Sequence, residues 1–119
     1  MNRRIFFTLL LSILSLLVQA PLQAQVRVVA TIKPLQMIAS AITEGISEPE
    51  VLIPSTQSYH HFVLRPSSVR SINQSELFIW VGPELETYLI DTIAQQTHGK
   101  PVLQVLAIPD LVVHHSGYD

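Results

Sequence analysis

Five histidines and no cysteine set the chemistry open to this sequence. A metal held here must use imidazole, carboxylate or water, because thiolate sites and disulfides are both excluded. Four of the histidines fall in two adjacent pairs, His60-His61 and His114-His115. Neighbouring side chains on extended backbone point to opposite sides, so at most one ring of a pair faces a given ion. A closed zinc site needs about four ligands, and one ring cannot make it. Asp110, His114 and His115 are partners by residue type. Glu84 and Glu86 have the look of a metal pair, but both fall where a helix is expected to begin, and the helix dipole alone accounts for acid there. There is no Gly-rich phosphate loop, no G-x-S-x-G, no H-E-x-x-H and no cysteine nucleophile. The common catalytic signatures are therefore absent, and a small exported α/β enzyme is the remotest of the readings.

The elements that must position these residues begin after a leader. Arg3 and Arg4 precede the uncharged apolar run Ile5 to Val18, 14 residues long, and Gln19 to Ala24 suits cleavage. The run is short for a membrane span, which takes about 20 apolar residues. Residues 1–24 thus read as a cleaved signal peptide, with Gln25 as the new N-terminus; cleavage after Ala20 would put Pro21 just past the scissile bond. Residues 25–119 carry five scattered basic side chains (Arg27, Lys33, Arg65, Arg70, Lys100) against all nine acidic ones. Nucleic acid and anionic membrane surfaces call for clustered Lys and Arg, so neither is expected as a partner.

Along this mature stretch the sequence alternates between two hydrophobic periods. Val26 to Ile32 is a β-branched strand, and Lys33-Pro34 opens a helix with Leu35, Ile38, Ala39 and Ile42 at helical spacing up to Gly45. Val51 to Ile53 is a short strand closed by Pro54. A polar loop, Ser55 to Arg65, leads to a helix over Pro66 to Asn73 whose Val69 and Ile72 share a face; Ser67-Ser68 suits a helix start. Leu77 to Val81 is apolar without a break, as in a strand buried on both faces. Gly82-Pro83 is expected to end that strand and start a helix bearing Leu85, Leu89, Thr92, Ile93 and Gln96 on one face. Val102 to Leu106 is a fourth strand. The pattern βαβαβαβ predicts an α/β fold: a parallel sheet with helices on both faces and right-handed crossovers. Ligands of such sheets bind beyond the carboxyl ends of the strands, where the loop holding His60 and His61 lies. Trp80 and Phe78 are read as core.

Three blocks in order, A-T-I-K-P-L-Q-M-I-A-S-A-I-T-E-G at Ala30 to Gly45, H-H-F-V-L-R-P-S at His60 to Ser67 and W-V-G-P-E-L-E at Trp80 to Glu86, resemble the N-terminal part of the zinc-uptake (ZnuA-type) solute-binding proteins, a cluster that includes manganese receptors. The resemblance implies one lobe of a two-lobe metal-receptor fold over 25–119, with the second lobe and the ligands it supplies beyond this chain. It implies a periplasmic receptor that captures Zn²⁺ and delivers it to the membrane permease of an ABC transporter. Alternatives within the resemblance are a Mn²⁺ receptor and a one-lobe fragment without transport function. His60, six residues before the Pro of L-R-P-S, matches a direct metal ligand of that family; His61, His114 and His115 are weaker candidates. His114-His115 resembles the start of the His-rich loop of zinc members, which favours zinc over manganese. Tyr59 stands where some zinc receptors carry an acid, and a phenol of pKa about 10 is a poor substitute.

Overall fold

The computed structural model describes Asn2, residues 25–58 and residues 62–114; the leader lies outside the described residues. Four strands form one sheet in the order β2-β1-β3-β4, every neighbouring pair parallel. They are β1 (Val28–Ala30), β2 (Glu50–Val51), β3 (Leu77–Trp80) and β4 (Val102–Gln104). The helices are α1 (Lys33–Ile42), α2 (Pro66–Gln74) and α3 (Ile90–Gln96). The α/β class and the helix-covered parallel sheet read from the sequence are the ones observed.

Period-2 alternation sorts the strand side chains onto two faces. Val29, Phe78 and Trp80 pack with Ile72 of α2 and with Leu89 and Ile93. Val28, Ala30 and Ile79 turn the other way and meet Leu35 and Ala39 of α1. Strand β3 is buried on both faces, which is why Leu77 to Trp80 has no polar residue to alternate with.

The assigned strands are shorter than the apolar runs, yet the ladder continues past them. Leu52 N–H donates to Ala30 O at 2.8 Å, Ile53 N–H to Thr31 O at 2.9 Å, and Leu106 N–H to Val81 O at 3.0 Å. Backbone pairing therefore reaches past β1 and β2, whereas the expected fourth strand, Val102 to Leu106, is strand only to Gln104 and turns into a 3₁₀ helix over Val105–Ala107.

Three expectations are corrected. The helix after β3 does not start at Pro83: residues 83–85 form a turn, Thr87–Leu89 a 3₁₀ turn, and α3 begins only at Ile90. Proline at 83 fits a turn as well as a helix start, because its fixed φ suits both. Helix α1 buries Ala39, but Ile38 and Ile42 are 60% and 76% exposed. The start of α2 is set by Pro66 behind Arg65, with no side-chain cap from Ser67 or Ser68.

Candidate metal site

Chain order and sheet order diverge at one place. From β1 the chain runs through α1 to β2 on one side, then returns to β3 on the other side of β1 and on to β4. The carboxyl ends of β1 and β3 flank this switch, where an open α/β sheet forms a crevice because neighbouring loops diverge. The residues leaving β1 there are Thr31, Ile32 and Lys33, and those leaving β3 are Val81 and Gly82. A cleft of about 310 Å³ opens on this edge, lined by Ile32, Lys33 and Pro34 after β1, Ile53 and Pro54 after β2, and Leu85 after β3.

The loop after β3 is held by one side chain. Glu86 is fully buried, and its Oε2 accepts hydrogen bonds from the Val81 N–H at 2.8 Å and the Gly82 N–H at 3.3 Å. Its own N–H donates to Gly82 O at 3.0 Å, closing the turn. Sequence pattern alone puts Glu84 and Glu86 in a helix's first turn under the helix dipole; Glu86 instead clamps a turn, and Glu84 is exposed. The second carboxylate oxygen of Glu86 is buried without a partner. Two residues on, the Tyr88 hydroxyl is also buried and unpartnered, and burial followed by the Glu86 charge pushes its pKa up to about 12. The Tyr88 ring meets the Phe62 ring at 5.9 Å between centroids, tilted 52°. That contact pins the described end of the loop that carries the first histidine pair.

His60, His61 and His115 lie outside the described residues, as does Tyr59. His114 is exposed at the end of the described chain, and Asp110 is exposed with a positive φ of 62°. Among the described residues no group of three or more His, Asp or Glu side chains gathers around one point. Trp80 is core, as expected, at 6% exposure. Sequence reasoning does not single out Thr31, Glu86 and Tyr88 as members of this edge. The signal for Glu86 is present in Gly82-Pro83, a pair that marks a turn as readily as a helix start.

A doubly wound parallel sheet with its loops collected at one carboxyl edge is a fold shared with solved proteins described as metal-binding. The metal-dependent lipoprotein YcdH of Bacillus subtilis superposes with a TM-score of 0.64 over 73% of this chain and 33% of that one, at 20% identity. The sequence goes further: residues 28–119 match the family described as zinc-uptake complex component A, periplasmic (ZnuA), and the chain belongs to that family. It is 38% identical to the high-affinity zinc uptake system protein ZnuA of Yersinia pestis over 98 residues, 81% of this chain and 31% of the relative. Against the protein of the same description from Haemophilus ducreyi the identity is 39% over 74% of this chain and 28% of the relative. The chain thus spans about a third of the length of these curated relatives. The family is one of uptake components rather than enzymes, and no helix among the described residues is long and apolar enough to cross a membrane.

Proposed function

We propose that this chain is a zinc receptor of the periplasm, exported by its leader, that captures Zn²⁺ with His60 as a ligand and passes the ion to the permease of an ABC transporter. The single observation that carries the reading is the family match over 28–119, which includes the loop holding His60. The switch-point crevice supports it, since that loop leaves the sheet at the same edge. Imidazole is a neutral borderline donor suited to zinc. Zinc is favoured over manganese because the curated relatives described above are zinc uptake proteins and because Mn²⁺ prefers oxygen-rich sites. His61, His114 and His115 are secondary ligands in this reading.

The test is a Zn²⁺ titration in the presence and absence of Mn²⁺. His60→Ala is expected to weaken zinc binding at least about tenfold, equivalent to about 1.4 kcal/mol, while His61→Ala changes it little because the two rings diverge. Binding is expected to fade below about pH 6, where imidazole takes up the proton that competes with the metal. Equal losses at both histidines would sink the assignment of His60. Protein recovered from the periplasm is expected to begin at Gln25, and an intact Met1 in a membrane fraction would overturn the leader assignment.

A further inference from the structure

Strands β1 and β3 part at a definite rung. Val29 pairs with Phe78 and Ala30 with Ile79, and the Thr31 N–H donates to Ile79 O at 2.9 Å. Bonds of a parallel ladder alternate in direction, so the next one should run back from the Val81 N–H, two residues further along the chain, to Thr31 O. It does not form. The Val81 N–H goes to Glu86 Oε2 at 2.8 Å, and Thr31 O accepts the Ile53 N–H at 2.9 Å from the side of β2. Ala30 O already accepts from Leu52 on that side at 2.8 Å. Consecutive carbonyls of an extended strand point to opposite neighbours, so Thr31 O has swung from β3 to β2, where the chain bends at Thr31 and Ile32.

The Glu86 carboxylate takes the place of that carbonyl. It supplies the acceptor that Val81 lost and takes the Gly82 N–H as well, at 3.3 Å. The two residues beside the lost rung each keep a buried oxygen without a partner, Thr31 Oγ1 and Glu86 Oε1. Native interiors tolerate few such atoms, and where they persist they mark an arrangement that packing alone does not select. The consequence falls on the crevice: Ile32, the residue after Thr31, and Leu85, the residue before Glu86, both line it. A side chain inserted in the rung spans more than a direct N–H···O bond, so the loops after β1 and β3 diverge from this level outward. We propose that Glu86 is the wedge that opens the crevice. Thr31 O has two competing donors, the Ile53 N–H toward β2 and the Val81 N–H toward β3, and the carboxylate satisfies the second and leaves the carbonyl to the first. Two discrete bonds make two states rather than a continuum. Glu86 is thereby a positioning residue that acts through the backbone, and this role goes beyond the zinc reading and does not rest on it.

Amide hydrogen exchange in the ¹⁵N-labelled chain tests this, because it reads each donor separately. Glu86→Ala is expected to expose the Val81 and Gly82 amides whatever the carboxylate does, since both lose their acceptor. Only the wedge predicts a loss at Ile53, which Glu86 does not bond: the Val81 N–H then competes for Thr31 O, and protection at Ile53 is expected to fall about tenfold. Leu52, bonded to the uncontested Ala30 O, should stay protected. Glu86→Gln retains a carbonyl acceptor and is expected to restore Ile53. A Glu86→Ala chain that loses protection at Val81 and Gly82 alone overturns the proposal, as does an equal loss at Leu52 and Ile53, which is general loosening. Should Glu86→Ala not fold, Glu86→Asp draws the carboxylate back by one methylene and carries the same comparison of Ile53 with Leu52. The wild type gives a further check that needs no variant. Scalar couplings across hydrogen bonds should join the Val81 nitrogen to the Glu86 side-chain carboxyl carbon and the Ile53 nitrogen to the Thr31 carbonyl carbon, and a coupling from Val81 to the Thr31 carbonyl instead would overturn the wedge outright.

Discussion

The Oε2 atom of Glu86 lies 2.8 Å from the Val81 amide nitrogen, five residues back along the chain, and accepts its hydrogen. Val81 is the point where β3 leaves the sheet, so the carboxylate ends the ladder by taking donors that would otherwise point at nothing. Replacing it by alanine leaves the Val81 and Gly82 amides without their acceptor in a partly or wholly buried setting. Glu86→Ala is therefore expected to lower stability by about 1–3 kcal/mol. A urea titration checks this: the midpoint should fall with little change in slope. An unchanged midpoint would mean that water replaces the carboxylate at no cost.

Gly82 supplies the second half of the same turn. Its φ of +150° is a backbone conformation that L side chains rarely adopt. A Cβ there would stand 2.7 Å from Glu84 Oε2, a flexible tip that can move aside, so the strain is in the backbone rather than in the contact. Gly82→Ala is expected to cost about 1–3 kcal/mol. Gly45, at φ +75° with nothing within 4 Å of an added Cβ, is the control; alanine there should cost about 1 kcal/mol, because the left-handed region is less forbidding. Equal losses at the two positions would remove the argument from backbone geometry.

Tyr88 makes stability depend on alkaline pH. Its folded pKa is pushed up to about 12 from 10.0, by burial first and by the Glu86 charge second. Below about pH 10 the phenol is protonated in both states and its contribution is intact. Between about 10 and 12 the unfolded chain releases the proton and the folded chain does not, so stability falls as pH rises. Tyr88→Phe is expected to remove that part of the slope while being neutral or mildly stabilising near pH 7, since the hydroxyl it deletes has no partner. Comparing denaturation midpoints of the two proteins across this range isolates Tyr88 from Tyr59 and Tyr118.

Much of this architecture is legible in the sequence because sheet and helices have different hydrophobic periods. The run Leu77 to Val81 is apolar on both faces, and only a strand covered by helices on each side accounts for it; Val26 to Ile32 reads as a strand from its β-branched residues although Arg27 and Thr31 interrupt it. The two glutamates of Pro83 to Glu86 are misplaced by pattern alone because a proline after glycine opens a turn or a helix with equal ease. Nothing in a linear pattern distinguishes a carboxylate drawn inward by backbone amides from one drawn to a helix end: both lie just past a strand. Spacing also counts Ile38 and Ile42 toward the core, yet spacing shows only that a face is apolar and not what it packs against.

Those two isoleucines belong to a longer stripe. Ile38 and Ile42 lie four apart on α1 and Ile46 follows in the turn beyond its end, and all three are exposed, at 60%, 76% and 67%. On the inner side of α1 the buried contact with the sheet is made by Ala39, with Leu35 at its margin. A helix apolar on two sides ordinarily buries both, yet within the described residues the outer stripe of α1 has no cover. Exposed positions change stability by within about 0.5 kcal/mol on substitution, whereas a fully buried isoleucine cut to alanine loses its transfer energy and leaves a void, about 2–5 kcal/mol in all. Ile42→Lys in the purified chain should accordingly leave the urea midpoint nearly unchanged and raise solubility, by breaking an apolar patch of the kind that drives association. Ile72→Ala, at a side chain with no exposure, should shift the midpoint strongly. A loss at Ile42 comparable to that at Ile72 would show that the stripe is covered in solution, by a second copy of the chain or by residues outside the described segments. Sedimentation of the wild type at two concentrations would then tell those covers apart, since only the first depends on concentration.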